Sequence, residues 1–172
     1  VDELFAAFDD EPLASASIAQ VHAATLRDGT EVVVKVQRPG LAGLLGPDTA
    51  ILRRLAGLVD RFSSTGRMAN PVAVVEDFTA TLGQELNFVI EARSMERFAA
   101  NLARSGRNDG VRVPSVHWPL TTPMVLTMER VHGYKIDDLA ALGATGWELG
   151  GALKAGVRAW MEAALVHGFF HG

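Results

Sequence analysis

The sequence predicts an α+β lobe joined to the start of a helical one. Three observations carry that expectation. Two β-leaning runs flank Arg27-Asp28-Gly29-Thr30, and Asp-Gly between such runs is a strong hairpin signal. Apolar residues then recur at helical spacing through the middle of the chain. A last amphipathic pattern follows Gly133. Mixed strands and helices in that order fit an α+β arrangement.

The elements follow in order. The run from Leu13 to Leu26 and the run from Glu31 to Val36 form the hairpin. The second contains VVVKV, which is short and β-branched and reads as a buried strand. Gln37-Arg38-Pro39-Gly40 stops it. From Asp48 to about Phe62 the pattern ILRRLAGLVDRF is helical, and residues 63–68 form a polar loop. Asn70-Pro71 reads as an N-cap and first helical position. Val72, Val75, Phe78, Leu82, Leu86 and Val89 recur at helical spacing, which predicts one helix to about Leu102, the longest in the chain, ended by SGRNDG. Strands are expected near Val111 to Val116 and near Met124 to Met128. Gly133 breaks the chain, and a helix fits Trp147 to Val166.

Composition narrows the function. The 172 residues are 48% hydrophobic and 21% charged, enough to bury a core and unlike a disordered tail. A net charge of −4 with no basic block argues against nucleic acid as the main partner. The absence of cysteine excludes disulfides, zinc-thiolate sites and cysteine nucleophiles. No signal-peptide pattern is present, and no apolar run approaches the roughly 18 residues of a membrane span. The first residue is Val1 and the last six are HGFFHG, an apolar segment, so the sequence reads as a piece of a longer protein.

Lys35 is the first residue that asks for chemistry. A lysine in a strand ordinarily sits at an edge or snorkels to water. Valines at 32, 33, 34 and 36 suggest that both faces are covered, and a buried ammonium needs an anionic partner. Candidate acids on the long helix are Glu76, Asp77, Glu85, Glu91 and Glu96. Asn87 and Glu91 lie one turn apart, whereas Glu85 points elsewhere. A charged helix face is ordinarily solvated surface, so spacing alone does not choose among them. The turn Ala14-Ser15-Ala16-Ser17 lies upstream. A strand, a tight small-residue turn, a second strand and a third carrying lysine is the layout of a kinase nucleotide lobe. Alanine resists the positive φ that glycine takes freely, so this turn should be stiff. Its N–H groups and the Ser15 and Ser17 hydroxyls could face phosphate, or it is an ordinary polar turn.

These segments resemble the UbiB/AarF family of atypical, protein-kinase-like proteins linked to quinone lipid biosynthesis. PLASASIAQVHAA (Pro12 to Ala24) resembles the family's alanine-rich loop and second strand. VVVKVQRPG resembles its lysine strand, and QELNFVIEARSMERFAANL (Gln84 to Leu102) its helix with two acids before the lysine-pairing glutamate. MVLTMERVHG resembles its hinge, and HGFFHG the approach to its catalytic loop. The five motifs occur in family order over about Phe5 to Gly172.

The resemblance implies a kinase-like N-lobe with hinge over residues 1–131 and the start of a C-lobe over 132–172. It implies that Lys35 is the nucleotide lysine and Glu91 its ion-pair partner. Ala14, Ser15, Ala16 and Ser17 become the phosphate-facing loop. Met128 takes the gatekeeper position, and the backbone of Glu129 to Val131 would bond adenine. Glu85 and Asn87 fall on a Glu-x-Asp motif whose second acid is absent here, which puts any metal or autoinhibitory role of that motif in doubt. The implied cofactor is ATP or ADP with Mg2+, the metal ligands falling mainly beyond Gly172. A Lys-x-Gly-Gln segment would precede Val1. The 172 residues alone are therefore expected to be inactive in phosphoryl transfer. Implied partners of the intact protein are nucleotide, quinone-synthesis proteins and lipid. The implied location is cytoplasmic, peripheral or membrane-anchored through parts outside this chain. The alternative is a pseudokinase-like module that senses nucleotide or lipid without phosphoryl transfer. The histidines at 22, 117, 132, 167 and 171 show no zinc-ligand spacing on one helix face and read as structural.

Overall fold

The computed structural model describes residue 1 and residues 3–63, 68–106, 110–146 and 149–168, with helical residues 42, 44 and 45 described by backbone alone. Strand β1 (Phe5–Phe8) and strand β2 (Ala14–Ser15) both pair antiparallel with β3 (Ala19–Leu26). They act as two halves of one edge, interrupted at residues 9–13. β3 pairs with β4 (Glu31–Gln37), and β4 with β5 (Val125–Glu129), giving a five-stranded antiparallel sheet. The β3–β4 hairpin closes as its sequence predicts. Gly29 takes φ +86°, a conformation that favours glycine, and Thr30 N–H donates to Asp28 Oδ1 at 2.9 Å.

The period of two along β4 divides the core. Val32 and Val34 are buried on one face with Ala24 and Leu26, beneath Phe5, Phe8, Leu120 and Val125. The opposite face carries Val33, Lys35 and Gln37. There Ala19 and Leu126 pack against Phe88 and Ala92, with Ile18, Met95, Val116 and Met128 around them. Phe88 and Leu126 are fully buried, each contributing about 1.5–3 kcal/mol by removal from water.

Five α-helices and a 3-10 turn at Trp118–Leu120 lie among the described residues: α1 (Leu41–Phe62), α2 (Pro71–Glu85), α3 (Phe88–Ser105), the short α4 (Leu139–Ala144) and α5 (Leu149–Leu165). α1 and α2 pack on each other as a hairpin, α3 lies against the sheet, and α5 lies against α3. α5 buries only its small residues Ala159 and Ala163, while Leu153, Val157, Trp160, Met161 and Leu165 on its other side remain exposed.

The fold departs from the sequence reading in several places. The expected single long helix from Pro71 to Leu102 is two helices. Asn87 between them is extended, at φ −116° and ψ 96°, and its side chain accepts from Val89 N–H, so a new helix starts there. The longest described helix is instead α1, with 22 residues. α1 begins at Leu41 rather than Asp48 and carries Pro47 inside it, at the cost of one intrahelical bond. No strand forms near Val111 to Val116. Val116 makes an isolated bridge with Met128, and Pro114, which has no N–H, cannot extend it into a ladder. Strand β1, the 3-10 turn at Trp118–Leu120 and the short α4 add to the expected elements. The expected run from Leu13 to Leu26 is two strands, β2 and β3, rather than one. The polar-loop reading of residues 64–67, the start of the last helix at Trp147, and Phe169 to Gly172 lie outside the described residues.

Candidate functional site

Lys35 and Glu91 meet. Lys35 Nζ lies 2.8 Å from both Glu91 Oε1 and Oε2, a bidentate contact. The ammonium also stands 4.8 Å from the centroid of the Phe88 ring, within cation–π range. The side chains keep 22% and 25% of their exposure, so the pair is half-sheltered and can still be reached by a ligand.

Each partner is placed by its own element. Strand parity puts Lys35 on the α3 face while its valine neighbours at 32 and 34 fill the other. Glu91 stands in the first turn of α3, where the helix dipole favours an anion. Three bonds set that helix start, two of them tying it to the sheet. Asn87 Oδ1 caps it at 3.1 Å from Val89 N. Phe88 N–H donates to Pro123 O at 3.0 Å, on the turn before β5. The Gln37 side chain, buried on the Lys35 face, donates to Leu86 O at 3.1 Å. The last of these fixes the distance between β4 and the start of α3, and with it the reach from Lys35 to Glu91.

The other candidate residues are arranged around this pair. Ala14 sits in register with Val21, which is in register with Lys35, so the alanine loop leads directly off the lysine row. Within the loop, Ala16 N–H donates to Ala19 O at 2.8 Å, and Gln20 Nε2 approaches Ser15 Oγ at 3.5 Å. Glu85 is the last residue of α2 and is exposed, so it does not join the Lys35 pair. Asn87 serves as a cap, a task that neutral asparagine performs as well as aspartate. Met128 is in register with Val33, on the lysine face. Glu129 N–H is engaged by Ser115 O at 2.8 Å and Arg130 N–H by Glu31 O at 3.3 Å. Among the described residues Val131 N–H has no backbone partner, and the residue is 56% exposed. Of the expected hinge donors, only the one at Val131 is open.

Glu129 is also held by its side chain. Ser115 N–H and Oγ donate to its Oε2, each at 3.2 Å, and Arg112 approaches Oε1 at 2.8 Å. The Ser115 backbone N–H is the main reason its carboxyl lies below the ordinary glutamate value. Glu31 clasps the segment after β5, with Arg130 at 3.4 Å and His132 at 3.0 Å. His22 stacks on Phe8 and bonds Asp9 O. Among the described residues no three acids or histidines cluster so as to hold a metal ion, and no helix is long and apolar enough to cross a membrane.

Sequence reasoning does not single out Phe88 or Gln37, yet both leave a signal. Gln37 lies two residues after Lys35 and so shares its face, and a polar residue there must find a partner. Phe88 lies one helical turn before Glu91.

Comparison with known proteins identifies the family. The ABC1 atypical kinase-like domain family matches residues 1–172. An uncharacterized protein of Mycobacterium tuberculosis is 49% identical over 169 residues, covering 98% of this chain and 34% of the relative. A probable protein kinase UbiB of Cellvibrio japonicus is 41% identical over 171 residues, 99% of this chain and 30% of the relative. The chain thus spans about a third of the length of these relatives. Among solved structures, the Mycobacterium tuberculosis protein Rv3197, determined with erythromycin, superposes with a TM-score of 0.65 at 32% identity, over 84% of this chain and 35% of that one.

Proposed function

The chain belongs to the ABC1 atypical kinase-like family, and from that premise we propose that it is the ATP-binding lobe of a UbiB-like atypical kinase or ATPase. Residues 1–131 are the nucleotide lobe with its hinge, and 132–172 open the second lobe. The observation that carries this reading is the bidentate Lys35–Glu91 contact at 2.8 Å beside a loop of small residues. An ammonium held by a single carboxylate keeps a direction free. There it can meet the α- and β-phosphates of a nucleotide while Glu91 fixes its position. The half-buried apolar residues Val21, Val33 and Met128 on the same sheet face suit a planar base. Val131 N–H is the open backbone donor to bond its edge.

Magnesium, when bound, would neutralise the charge on the phosphates. Its ligands are proposed to lie in other parts of the longer proteins of this family, beside the lobe described here. The whole protein's role is proposed as support of quinone lipid synthesis, with quinone-synthesis proteins or lipid as partners and peripheral attachment to a membrane. A second reading is regulatory. Asn87 carries no charge where the family pattern has an acid, which favours nucleotide sensing without transfer.

The test uses the full-length protein. ATP and ADP binding are measured calorimetrically for wild type, Lys35→Met and Glu91→Gln, and ATP turnover is measured alongside. Saturable binding that falls at least tenfold in Lys35→Met is expected. Binding with equal affinity in both variants overturns the nucleotide-lobe reading. Lys35-dependent binding without turnover selects the regulatory one.

A further inference from the structure

The loop from Ala14 to Ser17 has less to offer a phosphate than its position suggests. Ala14 and Ser15 are paired with Val21 and Gln20. Leu13 N–H donates to Val21 O and Ala16 N–H to Ala19 O, each at 2.8 Å. The loop has no glycine, so turning these peptide planes toward a ligand is costly. A phosphate docked here would meet few free backbone donors and, within the loop itself, no positive charge.

Arg38 stands beside it. Its backbone N–H donates to Ile18 O at 2.9 Å, and its side-chain Nε donates to Ala16 O at 3.1 Å. Those two bonds hold both ends of the turn from Ala16 to Ile18. The backbone at Arg38 is itself fixed, because its neighbour Gln37 pairs with Ala19, is buried, and bonds Leu86 O. A guanidinium carries five N–H donors in a rigid plane, and the Ala16 bond uses one of them. Among the described residues no carboxylate lies within ion-pair distance of Arg38, and the side chain is half-buried. A guanidinium oriented by the loop and without a carboxylate partner has terminal NH groups available to an anionic ligand.

We infer that Arg38 supplies the charge the alanine loop lacks. Its Nε holds Ala16 O, and its terminal NH groups bond the outermost phosphate of a nucleoside di- or triphosphate seated against Lys35. Arg38 is then a specificity-determining residue that reads phosphate number. This assignment rests on the nucleotide-lobe reading. Lysine is no substitute, since one ammonium cannot present the same planar fork to a backbone carbonyl and a phosphate at once.

The experiment measures binding of ATP, ADP and AMP to the full-length protein as wild type, Arg38→Gln and Arg38→Lys, with folding checked by circular dichroism. Arg38→Gln is expected to weaken ATP at least tenfold and ADP less, to leave AMP within about twofold, and to flatten the salt dependence of ATP binding. Arg38→Lys should recover only part of the loss. Equal losses for ATP and AMP would reduce Arg38 to a loop brace, and unchanged ATP affinity would remove it from the site. If wild type binds no nucleotide, both this assignment and the lobe reading fail. If wild type binds and Arg38→Gln matches it, only this assignment fails. Should Arg38→Gln unfold, protection of Arg38 from phenylglyoxal by ATP but not by adenosine, mapped by mass spectrometry, tests the same contact. Equal labelling with and without ATP overturns it.

Discussion

In the sheet and α3, Val32, Phe88, Ala92 and Leu126 are buried. In the α1–α2 hairpin, Ile51, Leu55, Leu58 and Phe62 are 52–76% exposed, and α2 has no buried residue. Both regions are rich in apolar residues at helical spacing. Residues 51, 55, 58 and 62 even form one continuous stripe along α1. The difference lies in what meets the stripe. α3 has a sheet beneath it and three bonds that set its start, whereas α1 has chiefly α2. Periodicity reports that a helix has an apolar face, and packing decides whether that face stabilises anything.

The largest expected effect follows from this contrast. Phe88→Ala removes a fully buried ring between α3 and the sheet and should cost about 3–5 kcal/mol. Phe62→Ala, in the hairpin, should cost less than about 0.5 kcal/mol. Urea denaturation of the two variants measures both. Similar losses would erase the distinction between the regions.

The next effect concerns the charge within the packed region. Glu91→Ala leaves the Lys35 ammonium half-sheltered beside Phe88 with no carboxylate, and should cost about 1–3 kcal/mol. The remaining exposure of 22% at Lys35 keeps the loss from the top of the buried-pair range. Lys35→Met combined with Glu91→Leu should be less harmful than Glu91→Ala alone, because no charge is stranded. A double-mutant cycle on thermal unfolding tests this, and additive losses would mean that the contact contributes nothing.

Much of this packed region is legible in the sequence. Asp28-Gly29 locates the hairpin, the valines around Lys35 announce a covered strand, and the family-like pattern of the helix selects Glu91. The break between α2 and α3 is hidden because apolar spacing runs through it: Leu82, Leu86 and Val89 keep helical intervals across an extended Asn87. A cap signal is present in Asn87 followed by an acid in the first turn, but the periodicity masks it. The α1 start is hidden by Pro47, which ordinarily ends or begins a helix. Gln37 and Arg38 read as a strand stop, since nothing local says that their side chains reach Leu86 O and Ala16 O across long stretches of chain.

A smaller effect probes the hairpin itself. Leu55→Ser with Leu58→Ser replaces two half-exposed side chains, so stability should change by no more than about 0.5 kcal/mol per site. Binding of a hydrophobic dye and self-association should both fall, because the stripe is exposed apolar surface. Light scattering and dye fluorescence measure this. A loss of several kcal/mol would show that the hairpin is packed as tightly as the sheet.

The smallest effect is electrostatic, and its sign can be worked out at Glu129. This residue ties β5 to the segment before it through Ser115 N–H, Ser115 Oγ and Arg112. Those contacts lower its pKa from the ordinary 4.5, the Ser115 backbone N–H first among them. A depressed carboxylate pKa means that the fold prefers the ionised form. Its contribution is therefore complete above the unfolded value and is lost as pH falls through the lower, folded one. Glu129→Gln should leave stability at neutral pH slightly reduced and should flatten its decline below about pH 4.5. The group is partly exposed, so salt should shrink the difference. Thermal unfolding of the two proteins between neutral pH and about pH 3, at low and high salt, reads the slope directly. Parallel curves would show that Ser115 merely touches Glu129, and that the strand edge is held by its backbone ladder alone.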